Sequence, residues 1–158
     1  MNGKPQYVCG LAIALYLLSL SLPGIVYQPT PVAATDFGYY LLLVGAWGIF
    51  SNTFAWFANF WVLLAIFCST VRTVRASVAA MILSMLAFLT GLNSYEFTQK
   101  YLDESGNNVL RVDYLGIGFY IWELSFLVLA TYFCLIVLAE RRSAATSQAS
   151  PDESVARS

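Results

Sequence analysis

The sequence predicts an all-α fold, a polytopic transmembrane four-helix bundle with an additional short interfacial or re-entrant helix between spans 1 and 2. Three observations predict it. Hydrophobic residues make up 59% of the 158 and charged residues only 11%, against about 25% charged in a soluble domain. The charges are clustered, with none between Lys4 and Asp36, between Asp36 and Arg72, or between Arg75 and Glu96, and with Glu123 alone between Asp113 and Glu140. The gaps hold four apolar runs near the roughly 20 residues that a helix needs to cross a hydrocarbon core of about 30 Å.

The first run covers residues 7–27 and contains "LSLSLPG". Pro23 near its outer end is tolerable in a membrane helix, because neighbouring groups re-satisfy the freed carbonyl. A secretory signal cut after Ala34 is the less favoured reading, since the apolar run exceeds the usual core of about 7 to 15 residues and the cut lies well beyond it. Residues 38–50, "GYYLLLVGAWGIF", reach only about 20 Å as a helix and are expected to lie along or dip into the outer face. Residues 53–71, 76–92 and 115–139 are the remaining spans. The outer loop, 93–114, alternates aromatic and charged residues and carries a turn signal at Ser105, Gly106, Asn107 and Asn108; a solvated loop is favoured over a small hairpin cap. A single transmembrane domain, 1–140, is followed by a polar, aperiodic stretch, 141–158, expected to be a disordered cytoplasmic tail.

Charge orients the chain. Arg72 and Arg75 between the second and third spans, and Arg141 and Arg142 after the fourth, belong in the cytoplasm by the positive-inside bias. With Lys4 also inside, four crossings put both termini in the cytoplasm, the membrane being the inner cell membrane; a five-span alternative would put Lys4 outside. Cys9, Cys68 and Cys134 all fall on the reducing side, so no disulfide is expected. Without any histidine or CxxC spacing, they read as small buried apolar groups rather than a three-thiolate metal site. The absent imidazole also removes a haem ligand, a nucleophile's base and a zinc triad. No metal and no cofactor are expected. Gly45 and Gly48 do not make a phosphate loop, for no lysine follows; they let the chain turn or a neighbouring backbone approach.

Two constellations stand out. Ala76, Ala80, Ser84, Ala87 and Gly91 give the third span one smooth face for close helix packing, within the bundle or against another subunit. Glu123 lies roughly 12 Å below the outer boundary of the last span and Asn59 about 10 Å deep in the second. Ser19, Ser21 and Thr90 come to a similar level, and Tyr120 is one turn before Glu123. These six residues form a candidate intramembrane polar site. A carboxylate at mid-helix costs about 2.5 to 3.5 kcal/mol on insertion scales, and no span holds a lysine or arginine. Glu123 is therefore expected to be wholly or partly protonated and to bond neutral donors such as the Asn59 amide, Tyr120, Trp56 or Trp122. As a functional group it would be a proton or cation site; as a structural one, which is favoured, a hydrogen-bonding peg. Tyr27, Tyr39, Tyr40, Trp47 and Tyr114 fit an outer aromatic belt, whereas Trp56 and Trp61 lie deeper and read as packed or lipid-facing rings before walls of a pocket for a lipid-like ligand.

"LSLSLPG", the Gly-Trp-Gly piece and "FAWFAN", with "GFYIW" as an echo in the last span, resemble a group of small bacterial inner-membrane proteins of four spans, without known activity. The group's proline after the FAWFAN asparagine is replaced here by Phe60. The resemblance implies a membrane location and no chemistry. The favoured function is a non-enzymatic membrane component that binds another membrane protein or itself in the lipid bilayer. A small proton- or cation-coupled transporter or channel subunit using Glu123 and Asn59 is the alternative. A lipid- or quinone-directed enzyme is least supported, because a lone acid lacks a second acid, base or metal ligand. Catalytic residues and nucleic-acid partners are not expected.

Overall fold

Pro23 ends the first helix rather than riding inside it. The computed structural model describes residues 4–28, 34–51, 53–71, 73–101 and 109–148. Helix α1 runs Lys4–Leu20, and Pro23–Tyr27 is strand β1. A proline disfavours helix in the residue before it and lacks a donor, and the β-branched pair Ile25 and Val26 favours an extended chain. The apolar run 7–27 is thus two elements.

Strand β2, Thr35–Phe37, and helix α2, Gly38–Val44, follow, and a 3-10 helix, Gly45–Ser51, leads towards α3, Phe57–Thr70. Helix α4, Val74–Gly91, is capped by the Thr73 hydroxyl, which accepts from the Ala76 N–H at 3.2 Å. After a second 3-10 turn, Leu92–Glu96, come β3, Gln99–Tyr101, and β4, Val109–Leu115, and the last helix, α5, runs Ile117–Gln148. It continues past Glu140, so residues 141–148, expected to be disordered, are helical; the rest of that tail, Arg72 and the turn at 105–108 lie outside the described residues.

The expectation of an all-α fold is corrected by a four-stranded antiparallel sheet in the order β2-β1-β4-β3. Its central pair sets Ile25 opposite Leu115 and Val26 opposite Tyr114, and β3 and β4 pair Gln99 with Arg111 and Lys100 with Leu110. The described parts of the outer loop, Gln99–Tyr101 and Val109–Leu115, therefore pair as strands of a cap, where a solvated loop is the favoured expectation. Two 3-residue strands carry too little pattern to be read alone; they are ordered by pairing with β1 and β4. Beneath the sheet, Ile25, Tyr27, Leu115 and Phe119 form a small core. Tyr27, expected in the interfacial belt, is 1% exposed.

The four longer helices pack in the order α1, α5, α4, α3, around Ala12, Ala58, Val62, Ala65, Ala80, Ala87, Phe126, Leu129 and Phe133. Every connection that carries sheet leaves the same end of these helices. Ser77 near the start of α4 approaches Glu140 of α5 at 3.5 Å, so Arg75, Arg141 and Arg142, all exposed, share the opposite end. Two helical stretches, Val74–Glu96 and Ile117–Thr146, are long and apolar enough to cross a membrane, while Tyr7–Leu20 and Phe57–Thr70 are apolar but shorter. The outward faces are apolar too, with Leu11, Leu63, Phe67, Leu89, Leu124 and Leu135 exposed.

The residues buried on α4 are Ala80, Ser84, Ala87 and Gly91, with Ala76 half-buried. They meet α3 and α5 of the same chain. Ser84, fully buried with its hydroxyl on the Ala80 carbonyl at 2.8 Å, leaves no room for a larger group. Ser84→Leu is expected to cost about 1–3 kcal/mol by overpacking, lowering the thermal midpoint in detergent, while Met85→Leu on the exposed face leaves it unchanged. Equal midpoints for the two variants would contradict this packing.

Candidate functional site

Asn59 is the hub of a polar knot that joins three helices. It lies in the first turn of α3, and its Oδ1 accepts from the Tyr16 hydroxyl of α1 at 2.9 Å and from Trp122 Nε1 of α5 at 3.1 Å. Its Nδ2 donates to the Trp56 carbonyl at 3.1 Å. An indole nitrogen only donates, so the amide oxygen must face Trp122. The Trp56 indole, in turn, donates to the Leu42 carbonyl of α2 at 2.8 Å, tying the segment after the sheet to the start of α3. Phe54 N–H donates to Asn93 Oδ1 at 2.5 Å and Asn93 Nδ2 to Glu96 at 2.7 Å, which holds the approach to α3 against the end of α4.

Glu123 is buried, 6% exposed, but stands apart from the knot. Neither carboxyl oxygen has a hydrogen-bond partner among the described residues. The donors that the sequence offered it are engaged elsewhere: Asn59 and Trp122 with each other, Trp56 with Leu42, and Ser19, also buried, with its own helix at the Tyr16 carbonyl, 2.6 Å away. Ser21 and Tyr120 are exposed and Thr90 is half-buried. What receives the carboxyl group is Gly91 of α4. A Cβ there would overlap Glu123 Oε1 and lie 2.9 Å from its Cδ, so the missing side chain makes the notch in which the acid sits.

A second polar group closes the cap. Tyr27 donates its hydroxyl to Asp36 Oδ2 at 2.7 Å, and Lys100 Nζ reaches the same oxygen at 2.8 Å. The Lys100 ammonium also stands over the Tyr40 ring at 4.7 Å and the Tyr27 ring at 5.7 Å. Burial, followed by the hydrogen bond to Asp36 and its negative charge, pushes the Tyr27 phenol above its ordinary value, so it stays a donor. This bridge between β2 and β3 was not found from sequence. Its one signal was the isolated position of Asp36 between two apolar runs.

Between the knot and the bridge lies a cavity of about 510 Å³, a size usual for small-molecule sites, about 300 to 1,000 Å³. Its walls include Ile25, Leu41, Trp47, Trp56, Phe97, Leu115, Phe119 and Trp122; Ser19 and Asn59 lie on the bundle side, and Tyr27, Asp36, Tyr40 and Lys100 on the cap side. Trp56 is a wall, whereas Trp61 packs against the main core. Residues 38–48, expected at the interface, supply one side of the chamber. Gly38 is required for this: a Cβ there would strike the Ser19 carbonyl oxygen and lie 2.8 Å from Leu20 Cα. Cys9, Cys68 and Cys134 are free thiols. Among the described residues no three His, Cys, Asp or Glu side chains gather where they could hold a metal ion.

Neither family models, curated proteins nor solved structures yielded a match to this chain. The site is therefore read from its own chemistry, which is a largely apolar chamber with Asn59 on the bundle side and the Asp36–Lys100 pair on the cap side.

Asn59→Leu leaves the Tyr16 and Trp122 donors without an acceptor and is expected to cost about 1–3 kcal/mol, read as a lower thermal midpoint in detergent. The loss shrinks in a Tyr16→Phe background, where one donor is already gone. Gly91→Ala is expected to destabilise by collision with Glu123, and combining it with Glu123→Ala recovers most of the loss. Additive effects in that double-mutant cycle would mean that the two residues do not meet.

Proposed function

We propose that the protein is a non-enzymatic, multi-pass membrane protein that binds one lipid-like amphiphile in the cavity between its helices and its sheet cap. The observation that carries this reading is the cavity itself, with mostly aromatic and aliphatic walls and a few polar side chains among them, the pattern of a site that encloses an apolar body and orients it by a few polar contacts.

The membrane setting is supported by helices that are apolar on their outward faces and by the two stretches long enough to cross. In the proposed arrangement all four longer helices cross an inner cell membrane of a bacterium. The start of α1 and the end of α5 are cytoplasmic with Arg75, Arg141 and Arg142, and the sheet is on the outer side. Helices α1 and α3, at 17 and 14 residues, are short for a hydrocarbon core of about 30 Å; β1 and α2 pack at the end of α1, and the Trp56–Leu42 hydrogen bond sets α2 beside the start of α3.

Binding to a second copy through the small-residue face of α4 is less favoured, because that face is already occupied by α3 and α5. The transporter reading rests on Glu123 and Asn59; Asn59 lines the cavity with its amide oxygen taken by Tyr16 and Trp122, while Glu123, the titratable one, faces Gly91 and is not among the lining residues. Catalysis is the least supported reading: the charged groups lining the cavity are Asp36 and Lys100, paired with each other at 2.8 Å, and among the described residues no second charged acid or base stands beside them as general acid–base chemistry would require.

The test is native mass spectrometry of the full chain, purified in a maltoside detergent and incubated with long-chain lysolipids. One bound lipid per chain is expected. Ser94→Trp and Leu41→Trp, each placing an indole in the cavity, are expected to abolish it while the protein keeps its helical circular dichroism. Retention of the bound lipid in both variants would overturn the reading.

A further inference from the structure

The cap side of the cavity carries one full charge of each sign, and their arrangement selects a headgroup. Resting on the amphiphile reading above, we propose that the ligand is zwitterionic, bearing a phosphate and an ammonium on one headgroup as in the phosphatidylethanolamine class. The phosphate meets Lys100, the ammonium meets Asp36 and the Tyr40 ring, and the acyl chain enters the cavity.

The geometry supports each contact. An ammonium has three donors, and the ion pair uses Lys100 Nζ towards a single oxygen, Asp36 Oδ2, at 2.8 Å. The Tyr27 hydroxyl falls on that same oxygen, so both recorded bonds leave Asp36 Oδ1 untouched. The two side chains line the cavity and remain 26% and 15% exposed, for Lys100 and Asp36 respectively. Neither is sealed by the pair. The rings of Tyr40 and Tyr27 already attract one cation, at 4.7 Å and 5.7 Å, and a tyrosine face within about 6 Å attracts a ligand cation in the same way.

Charge then separates the ligand classes. An anionic headgroup on Lys100 brings a second negative charge up to Asp36, and a cationic one on Asp36 meets Lys100. A zwitterion laid head to tail against the ion pair satisfies both. A neutral glyceride meets no repulsion but leaves unused the Lys100 donors and the Asp36 Oδ1 that have no other hydrogen-bond partner among the described residues. The preference expected from such partly exposed pairs is modest, about three- to tenfold in Kd.

The experiment compares palmitoyl lysophosphatidylethanolamine, palmitoyl lysophosphatidylglycerol, monopalmitoylglycerol and chain-free phosphoethanolamine on the full chain in maltoside, by native mass spectrometry in competition. The expected result is about three- to tenfold tighter binding of the zwitterionic lysolipid than of the other two lipids, with no binding of phosphoethanolamine alone. In Asp36→Asn the disadvantage of the anionic lysolipid disappears, and in Lys100→Met the advantage of the zwitterion over the glyceride disappears. Equal binding of the glyceride by the wild-type chain would overturn the proposal in favour of a site that reads only the acyl chain. Tightest binding of the anionic lysolipid would make Lys100 an anion site, and tight binding of phosphoethanolamine would make it a site for free headgroups. Binding of none of the lipids overturns the amphiphile reading and this one together. The wild-type comparison decides the matter even where a variant fails to fold.

Discussion

The pairing of Pro23–Tyr27 with Val109–Leu115 is the constraint on which the rest of the molecule depends. It joins the connection after α1 to the connection before α5, two segments far apart in sequence. Once those strands are paired, α1 and α5 must leave the sheet side by side, and they pack against each other along the bundle. The same pairing gives each short edge strand one neighbour, β1 for β2 and β4 for β3, and Asp36 of one edge meets Lys100 of the other. The cavity exists because the sheet is held above the helix ends by its own small core of Ile25, Tyr27, Leu115 and Phe119 rather than collapsing into the bundle.

Below the cap, polar and apolar packing divide the work. Small residues on α4 let α3 and α5 pack closely against it. The Asn59 knot adds direction. Its two incoming donors are on α1 and α5, so the amide fixes the rotation of α3 relative to both. Glu123 sits differently, because its carboxyl group is accommodated by the absence of a side chain at Gly91 rather than by bonds. The acid and the glycine form one steric unit, although nothing in their sequence separation advertises it.

Part of this was legible in the chain. The apolar runs, the grouping of arginines and the small-residue repeat of the third run all follow from local periodicity, and the corresponding helices and buried face are present. Asn59 and Glu123 were singled out because a polar group in an apolar run is conspicuous, and both are buried. Their partners were not legible. Equal depth along four helices suggested one shared cluster, but depth does not specify rotation, and Trp122 turns its indole to Asn59 while its neighbour Glu123 points to α4. The strand at Pro23–Tyr27 was hidden for a related reason: an apolar stretch continuous with a helix has the composition of both, and only the proline marked the break.

The sequence by itself determined that the chain is mostly helical and roughly where its longer helices lie, since hydropathy and helical periodicity are properties of neighbouring residues. It also determined which residues must be reconciled with burial. Tertiary structure alone decided that the connection after α1 and the one before α5 share a sheet, that Asp36 and Lys100 meet with Tyr27, and that a chamber remains between cap and bundle. Those features depend on contacts between segments with no local signal of each other, and strands of 3 residues acquire a defined conformation only when pairing satisfies their backbone groups.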